Sequence, residues 1–319
     1  MEYKSEILNY KDETLLRVEG LSVAFQQTYR GLKRLDTNVI SDLTFQVNAG
    51  EIVAIVGQSG SGKSVLAHAI LDILPENALV KGKIIYKNET LNKKKLKVLR
   101  GNEIVLVPQS VTYLDPLMKI EKQIIGCENI KVRKDKLQIV SKRLELSDKM
   151  MKQYPHQLSG GMARRVLAAT AIIADASLII ADEPTPGMSV EQALESLSIF
   201  KEFASKGKGV LLITHDLELA CQFADKIAVF YEGMILEITT SMYFREGVQQ
   251  LLHPYSKALF QALPQHEFNQ AFDVANLQHI SEVGCTFCGV CNQKTNRCKI
   301  EKPMLKEVCS GFVRCFYGN

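Results

Sequence analysis

The fold of this chain is decided by the stretch Gly57-Gln58-Ser59-Gly60-Ser61-Gly62-Lys63-Ser64. A mostly apolar run at 51–56, typical of a buried parallel strand, precedes it, and the helix-forming run Val65–Leu71 follows it. Between a strand and a helix, this glycine-rich pattern predicts a loop whose backbone N–H groups converge on phosphate oxygens. We expect Lys63 to reach the terminal phosphates of a nucleotide and the Ser64 hydroxyl to bind Mg²⁺.

A second glycine turn, Leu158-Ser159-Gly160-Gly161-Met162, has the composition of a segment that presents backbone N–H groups to a phosphate. Together, the two segments suggest a nucleotide clamped between two surfaces rather than one held in a single pocket. A site of that kind favours a protein that works by opening and closing.

Two carboxylates end a second buried-strand pattern. The apolar run 178–181 leads directly into Asp182 and Glu183. Phosphoryl transfer needs charge neutralisation and a positioned nucleophile. We therefore expect Asp182 to support the Mg²⁺ shell and Glu183 to polarise the attacking water.

Polar side chains also follow two other strand patterns. The run 209–214 ends at His215, and the run 103–107 is followed by Pro108 and Gln109. Ligands of parallel sheets bind at the carboxyl ends of the strands, so we interpret His215 as a sensor of the terminal phosphate. A glutamine at position 109 can touch the metal or the water, although spacing alone does not decide whether it does.

These motifs resemble those of the ATP-binding subunits of ABC transporters. The resemblance assigns 57–64 to Walker A, Gln109 to the Q-loop, 158–162 to the ABC signature, 178–183 to Walker B with its catalytic glutamate, and His215 to the H-switch. It implies an α/β P-loop NTPase fold with a mixed core sheet, a small antiparallel β subdomain and a helical subdomain. It also implies ATP hydrolysis, with ATP and Mg²⁺ as cofactors.

Two further segments are similar to those of the peptide/nickel importer group. They are the Q-loop region 109–118 and the C-terminal pattern His253–Leu259 with 262–264. The resemblance implies the first of two paired ATPases, in a dimer that holds two ATPs at its interface. The implied partners are a second ATPase, two transmembrane permease subunits and an extracytoplasmic substrate-binding protein. Peptide, nickel or another metal chelate remain open as the cargo.

The sequence departs from the family pattern at two positions near the expected dimer interface. Ser189 stands where the family has an aspartate, and Arg164 stands where glutamine is commoner. We expect active hydrolysis, with unequal coupling at the two sites of the dimer. The aromatic side chain that stacks on adenine is expected to be Phe25 or Tyr29, because an insertion at Gln26–Thr37 blurs the alignment there.

Composition agrees with a soluble protein that has a sizeable core. Of the 319 residues, 46% are hydrophobic and 23% charged. No apolar run approaches the roughly 20 residues of a membrane span, and the N-terminus lacks the layout of a signal peptide. These features predict a peripheral location on the cytoplasmic face of the membrane, reached through partners. The net charge of +4 is too small to indicate a nucleic-acid partner.

The motifs predict two units. Residues 1–245 are expected to form the ABC ATPase domain, with a helical subdomain at about 110–170. Residues 246–319 are expected to form a separate C-terminal extension that carries a cysteine cluster.

The extension holds six of the eight cysteines of the chain. Because a chain without an export signal is not expected to hold structural disulfides, clustered thiols suggest a metal. The candidate ligands are Cys285, Cys288, Cys291, Cys298 and Cys315. Four thiolates suit an iron–sulfur cluster or Zn²⁺, and disulfides or free thiols are the remaining alternatives. The family resemblance favours a four-iron four-sulfur cluster held by Cys285, Cys291, Cys298 and Cys315.

Two other functions are compatible with a nucleotide site of this kind. One is a soluble ABC ATPase that acts on nucleic acid or ribosomes, although such proteins usually carry two cassettes in one chain. The other is a regulatory subunit with weak hydrolysis. The intact Lys63, Asp182, Glu183 and His215 argue against this second alternative.

Overall fold

The computed structural model of this chain describes residues 13–29, 33–126, 130–188, 190–263, 283–308 and 311–318. The strands among them are β1 (Thr14–Tyr29), β2 (Lys33–Asn48), β3 (Ile52–Val56), β4 (Ala78–Tyr86), β5 (Glu89–Thr90), β6 (Ile104–Val107), β7 (Leu178–Asp182), β8 (Gly209–Thr214), β9 (Lys226–Tyr231), β10 (Met234–Thr240), β11 (Lys306–Val308) and β12 (Gly311–Val313). The α-helices are α1 (Lys63–Ile70), α2 (Lys93–Leu99), α3 (Ile120–Ile125), α4 (Ile130–Arg143), α5 (Asp148–Met151), α6 (Gly160–Ala174), α7 (Val190–Ser205), α8 (Leu217–Phe223), α9 (Ser241–Glu246), α10 (Pro254–Gln261) and α11 (Asn296–Ile300).

The larger sheet has the strand order β11-β12-β10-β9-β3-β8-β7-β6. From β9 to β6 the neighbouring strands run parallel, whereas β10, β12 and β11 pair antiparallel. The sheet is therefore mixed, as the sequence predicts. Its parallel part brings the carboxyl ends of β3, β6, β7 and β8 to one edge, because parallel strands end on the same side.

Both faces of this sheet are covered. Every residue of β3, β7 and β8 is buried, which explains their continuous apolar sequences. Along β3, Ala54 packs in the core that includes α6 and α7, while Val53 and Ile55 pack in the core beside α1 and the smaller sheet. This alternation follows from the two-residue repeat of a strand.

The smaller sheet has the strand order β2-β1-β4-β5 and is antiparallel. Within the segment Gln26–Thr37, interpreted from sequence as an insertion, the described residues 26–29 and 33–37 prolong the paired strands β1 and β2: Gln26 lies opposite Asp36, and Gln27 opposite Leu35. The extra residues lengthen two paired strands, which is why they do not disturb the rest of the sheet.

Helices α3 to α6 follow β6 and form the helical region expected from the sequence. A 3₁₀ turn at Val111–Tyr113 links β6 to this region. Leu114, immediately after the turn, is buried in the same core as α6. The polypeptide that leaves β6 is thus anchored on the helical region within a few residues.

The end of the chain adds to the larger sheet. β12 pairs with β10 through Glu237 and Val313 and through Ile238 and Phe312. At Gly311, which has a φ of +145°, a Cβ atom would stand 2.0 Å from the Ile238 carbonyl oxygen, so the close pairing requires glycine. Among the described residues, no helix is long and apolar enough to span a bilayer.

Candidate functional site

The glycine-rich loop leaves β3 and enters α1, as its sequence context predicts. A Cβ atom at Gly57 would lie 2.1 Å from the carbonyl oxygen of Phe230 on β9, so only glycine fits there. Gly60 and Gly62 have φ angles of +80° and +106°, which glycine adopts without strain. Gly62 ends the loop as the N-cap of α1.

Lys63 points its ammonium group into the loop. Its Nζ donates hydrogen bonds of 2.7 Å to the carbonyl oxygens of Gly57 and Gln58. The same nitrogen lies 4.0 Å from Oε1 of Glu183. Burial lowers the pKa of Lys63, and the carboxylates of Glu183 and Asp182 oppose that shift. The ammonium group of Lys63 therefore interacts both with the loop carbonyls and with the carboxylates at the end of β7.

Asp182 is the last residue of β7 and is buried. Burial raises the pKa of its carboxyl and outweighs the opposing effects of the Ser64 hydroxyl, His68 and Lys63. Within the described part of the chain, Oδ1 has no hydrogen-bond partner. A buried carboxylate oxygen without a partner, next to a hydroxyl, fits the oxygen ligands that Mg²⁺ takes in nucleotide sites.

Glu183 follows immediately and has a φ of +46°, a left-handed conformation that is strained for this residue type. Its backbone N–H donates to the carbonyl oxygen of Ile213 at 2.8 Å. The carboxylate is buried, and its Oε2 lies 2.7 Å from Nδ1 of His215. The histidine ring is exposed, so it connects the buried carboxylate to solvent.

Gln109 lies two residues beyond the end of β6, at the carboxyl edge where Asp182 and His215 also lie, and its side chain is exposed. Two residues that sequence reasoning missed connect this segment to α1. Tyr113 Oη lies 3.0 Å from Nε2 of His68 on α1. The available sequence signal is that His68 follows Ser64 by four positions, which places both on one face of α1.

The second glycine turn starts helix α6. The hydroxyl of Ser159 caps the helix by accepting from the Met162 N–H at 3.3 Å. Gly160 is exposed, and a Cβ atom at Gly161 would lie 3.6 Å from the carbonyl oxygen of Gly187. Among the described residues, no hydrogen bond or ion pair joins Ser159–Gly161 to the Gly57–Ser64 loop. The turn is available on the surface of the chain.

The candidates for adenine stacking lie on the smaller sheet. Phe25 pairs in β1 opposite Thr37 and Ala78 and is partly buried against the core of that sheet. The side chain of Tyr29 lies outside the described residues, and so does Ser189. Arg164 is half-buried, and its guanidinium lies against Gly187.

Five cysteines of the C-terminal extension line one cavity, together with His253 and Phe287. They are Cys285, Cys288, Cys291, Cys298 and Cys315. Burial raises the pKa of the Cys285 thiol to about 11 and also raises those of Cys288 and Cys291. Within the described residues, no group of three or more His, Cys, Asp or Glu side chains is arranged to hold a single metal ion.

Comparison with family models gives two matches. The model described as "ABC transporter" matches residues 40–186. The model described as "Oligopeptide/dipeptide transporter, C-terminal region" matches residues 245–298. The first match covers the loop, Asp182 and the signature turn, and the second covers α10 and four of the six cysteines of the C-terminal extension.

Several curated proteins are similar along most of their length. The Dipeptide transport ATP-binding protein DppD of Bacillus subtilis is 34% identical, over 81% of this chain and 79% of that protein. The Oligopeptide transport ATP-binding protein OppD of Haemophilus influenzae is 32% identical over 94% of this chain and 96% of its own length. OppD of Escherichia coli is 31% identical over 95% and 93%.

Solved structures of ATP-binding cassettes share the fold. The dimeric bacterial ABC transporter cassette MJ0796 superposes with a TM-score of 0.60 and 25% identity, over 71% of this chain and 99% of the cassette. A post-hydrolysis dimer of the same cassette, bound to ADP and Pi, gives a TM-score of 0.60 at 24% identity, with the same coverage. These likenesses confirm the α/β fold with its β and helical subdomains.

Proposed function

Because this chain belongs to the family of ATP-binding subunits of oligopeptide and dipeptide ABC transporters, we propose that it hydrolyses ATP to drive peptide import. The observation that carries the proposal is the convergence of Lys63, Asp182, Glu183 and His215 at one edge of the sheet. The relatives are named for dipeptide and oligopeptide transport, which makes a peptide the cargo.

The chemistry proposed for this edge follows from its charges. Bound ATP with Mg²⁺ supplies the phosphoryl group and the cation that neutralises its charge. Ser64 and Asp182 would hold that cation, and Lys63 would turn from the loop carbonyls toward the terminal phosphates. Glu183 orients the attacking water and accepts its proton through Oε1 or Oε2, and His215 holds this carboxylate in place. Gln109 reaches the cation or the water from β6.

The exposed signature turn supplies the second half of a site. We place Ser159, Gly160 and Gly161 against the nucleotide held by a second ATPase, and that partner's signature turn against Gly57–Ser64. A nucleotide with its terminal phosphate contacts both surfaces, so it favours the closed dimer over the open one. Two permease subunits and an extracytoplasmic binding protein complete the proposed assembly.

Peptide uptake by the assembled transporter in proteoliposomes tests this function. We expect ATP-dependent accumulation of a labelled di- or oligopeptide, and no accumulation when Glu183→Gln replaces the wild-type chain. Exposed Glu218→Gln on α8 is the matched control and should transport normally. Uptake of nickel without uptake of peptide would overturn the peptide assignment, and absence of ATP hydrolysis in the wild-type assembly would overturn the function.

For the cysteine cavity we propose a four-iron four-sulfur cluster, with Cys285, Cys291, Cys298 and Cys315 as ligands and Cys288 as a fifth thiol nearby. The convergence of five thiols on one cavity supports this ligand set. Thiolates around a single Zn²⁺ lie about 3.8 Å apart, as follows from a Zn–S distance of about 2.3 Å. An iron–sulfur cluster is held by thiolates that are more widely separated than those around a single Zn²⁺.

A further inference from the structure

The hydrogen bond between His68 and Tyr113 joins two parts of the nucleotide site that are separate in the sequence. Tyr113 Oη and His68 Nε2 are 3.0 Å apart, across 45 positions of the chain. The two rings are tilted by 41°, with their centroids 6.3 Å apart. The hydroxyl of Tyr113 therefore reaches α1 from the segment that follows β6.

One partner of this hydrogen bond, His68, lies on the same helix as Ser64, a proposed metal ligand. His68 lies on α1 one turn after Ser64, and residues four apart share a helix face. The start of that helix faces the carboxylates at the end of β7, where Nζ of Lys63 lies 4.0 Å from Oε1 of Glu183. A group that restrains His68 therefore also restrains the helix face that carries Ser64.

The other partner of the hydrogen bond, Tyr113, follows Gln109 by four positions in the chain. The 3₁₀ turn that ends at Tyr113 is capped by Ser110, whose hydroxyl accepts from the Thr112 N–H at 3.2 Å. The turn leaves little freedom between Tyr113 and Gln109. Leu114, the next residue, is buried in the helical region, whereas Leu117 is 87% exposed. Tyr113 lies at the point where this segment passes from the sheet to the helices.

Tyr113 itself is 51% exposed, so its burial contributes little to holding the segment. Its hydroxyl is the part of the side chain that bonds to α1. Loss of that hydroxyl would free the segment from the helix while leaving the apolar core unchanged. The contact is suited to positioning the loop and adds little to the stability of the core.

We propose that His68 and Tyr113 are positioning residues for ATP hydrolysis. Their hydrogen bond holds the Gln109 segment against α1 and sets the distance from Gln109 to Ser64 and Asp182. The inference rests on the proposed ATPase function.

Steady-state kinetics of the assembled transporter test the proposal. We expect Tyr113→Phe to lower kcat by about two- to tenfold, the range that one hydrogen bond supplies, with the KM for ATP unchanged. His68→Leu should have the same effect. His68→Gln should restore kcat, because its amide reaches the position of Nε2. Tyr317→Phe is the matched control: Tyr317 is also half-exposed and bonds Thr295 at 2.9 Å, far from this segment in sequence.

Two readouts separate positioning from a merely structural role. In a Gln109→Ala background, Tyr113→Phe should cause no further loss of kcat, because the residue being positioned is gone. Amide hydrogen exchange should speed up in 109–118 of Tyr113→Phe while the core strands stay protected. Wild-type kinetics of Tyr113→Phe, or an equal loss with and without Gln109, would overturn the inference. Failure of the wild-type assembly to hydrolyse ATP would instead overturn the proposed function.

Discussion

His215 Nδ1 lies 2.7 Å from Oε2 of Glu183, although 32 positions separate the two residues. They follow β7 and β8, which are parallel neighbours in the sheet. The other carboxylate oxygen of Glu183 faces Lys63 at 4.0 Å. The glutamate thus stands between a buried lysine and an exposed histidine, with its carboxylate fixed from both sides.

Glu183→Gln is expected to reduce ATP hydrolysis by about 10²- to 10⁴-fold, the contribution of a positioned general base. The amide keeps the size of the side chain but cannot accept a proton from water. Binding of ATP should remain, because Lys63 and the loop are unchanged. Single-turnover hydrolysis and equilibrium binding of a fluorescent ATP analogue measure the two effects. Hydrolysis at the wild-type rate would sink the role given to Glu183.

Gly57→Ala is expected to destabilise the chain by about 3 kcal/mol or more, because the added methyl group collides with the Phe230 carbonyl. Gly60→Ala is the matched control within the same loop. Nothing lies within 4 Å of its Cβ position, so only its φ of +80° costs energy, about 1 kcal/mol. Urea unfolding of both variants distinguishes the two costs. Equal stability of the two variants would contradict the close packing of the loop on β9.

Arg314→Ala is expected to cost about 2–4 kcal/mol, because it removes a buried side chain and leaves the carbonyl oxygens of Ile235 and Pro303 without their donor. Arg314 is 2% exposed and donates to the carboxylate and carbonyl of Asp42 and to the carbonyls of Ile235 and Pro303. Limited proteolysis should then release the end of the chain.

Asp42→Asn is the control for that variant, since it keeps the carbonyl acceptors and should cost about 1 kcal/mol or less. The Asp42 side chain is 64% exposed, which weakens its charge interaction with Arg314. If Arg314→Ala and Asp42→Asn both match the wild type in free energy of unfolding and in resistance to protease, Arg314 does not anchor the chain end.

Glu103→Gln is expected to show a pH-dependent loss of stability. The carboxylate accepts from Lys87 at 2.7 Å, Tyr86 at 2.9 Å and Ser177 at 3.0 Å. The hydrogen bond from Lys87 is the main cause that holds the pKa of Glu103 below its usual 4.5. A lowered pKa stabilises the folded state above about pH 4.5, and that stabilisation is lost as the pH falls through the folded-state value.

The Glu103 side chain is 43% exposed, so solvent limits the effect to about 0.5–1 kcal/mol at pH 7. The difference between Glu103→Gln and the wild type should be smaller at a pH well below 4.5 than at pH 7, because the folded-state pKa is lowered. Free energies of unfolding at both pH values test this, with exposed Glu76→Gln as the control. A difference that persists unchanged in acid would show that the ionised carboxylate is not its source.

Anaerobically purified protein is expected to contain iron and acid-labile sulfide in equal amounts and to absorb blue light. Cys298→Ala should lose most of the iron, because Cys298 is buried and lines the cavity together with the other proposed ligands. Cys288→Ala should retain it, because Cys288 is outside the proposed ligand set. Cys221→Ala, a buried thiol on α8, is the control. Zinc without sulfide, or no metal at all, would exclude the cluster.

The sequence was sufficient to predict the strands that carry the site and the loop between β3 and α1. These are local patterns: a continuous apolar run followed by a polar residue records burial on both faces and the point where a strand reaches the sheet edge. Asp182 and His215 were identified in this way, from their own neighbours in the chain.

Neither the strand pairing within Gln26–Thr37 nor the attachment of the chain end could be predicted in this way. The extension of β1 and β2 depends on the register between these two strands, and β12 pairs with β10 across more than 70 positions of the chain. Local sequence preferences do not specify such pairings, because each depends on which strand edge the folded sheet leaves available.

What the sequence by itself determined is the set of chemical groups at the edge of the sheet: a loop lysine, two carboxylates, a histidine and a glutamine. The tertiary structure alone decided how they are connected, through Glu183 with His215 and through His68 with Tyr113. Strand order and helix packing bring these distant side chains within hydrogen-bond distance. A hydrogen bond depends on tenths of an ångström between atoms, and only the packed chain fixes positions at that scale.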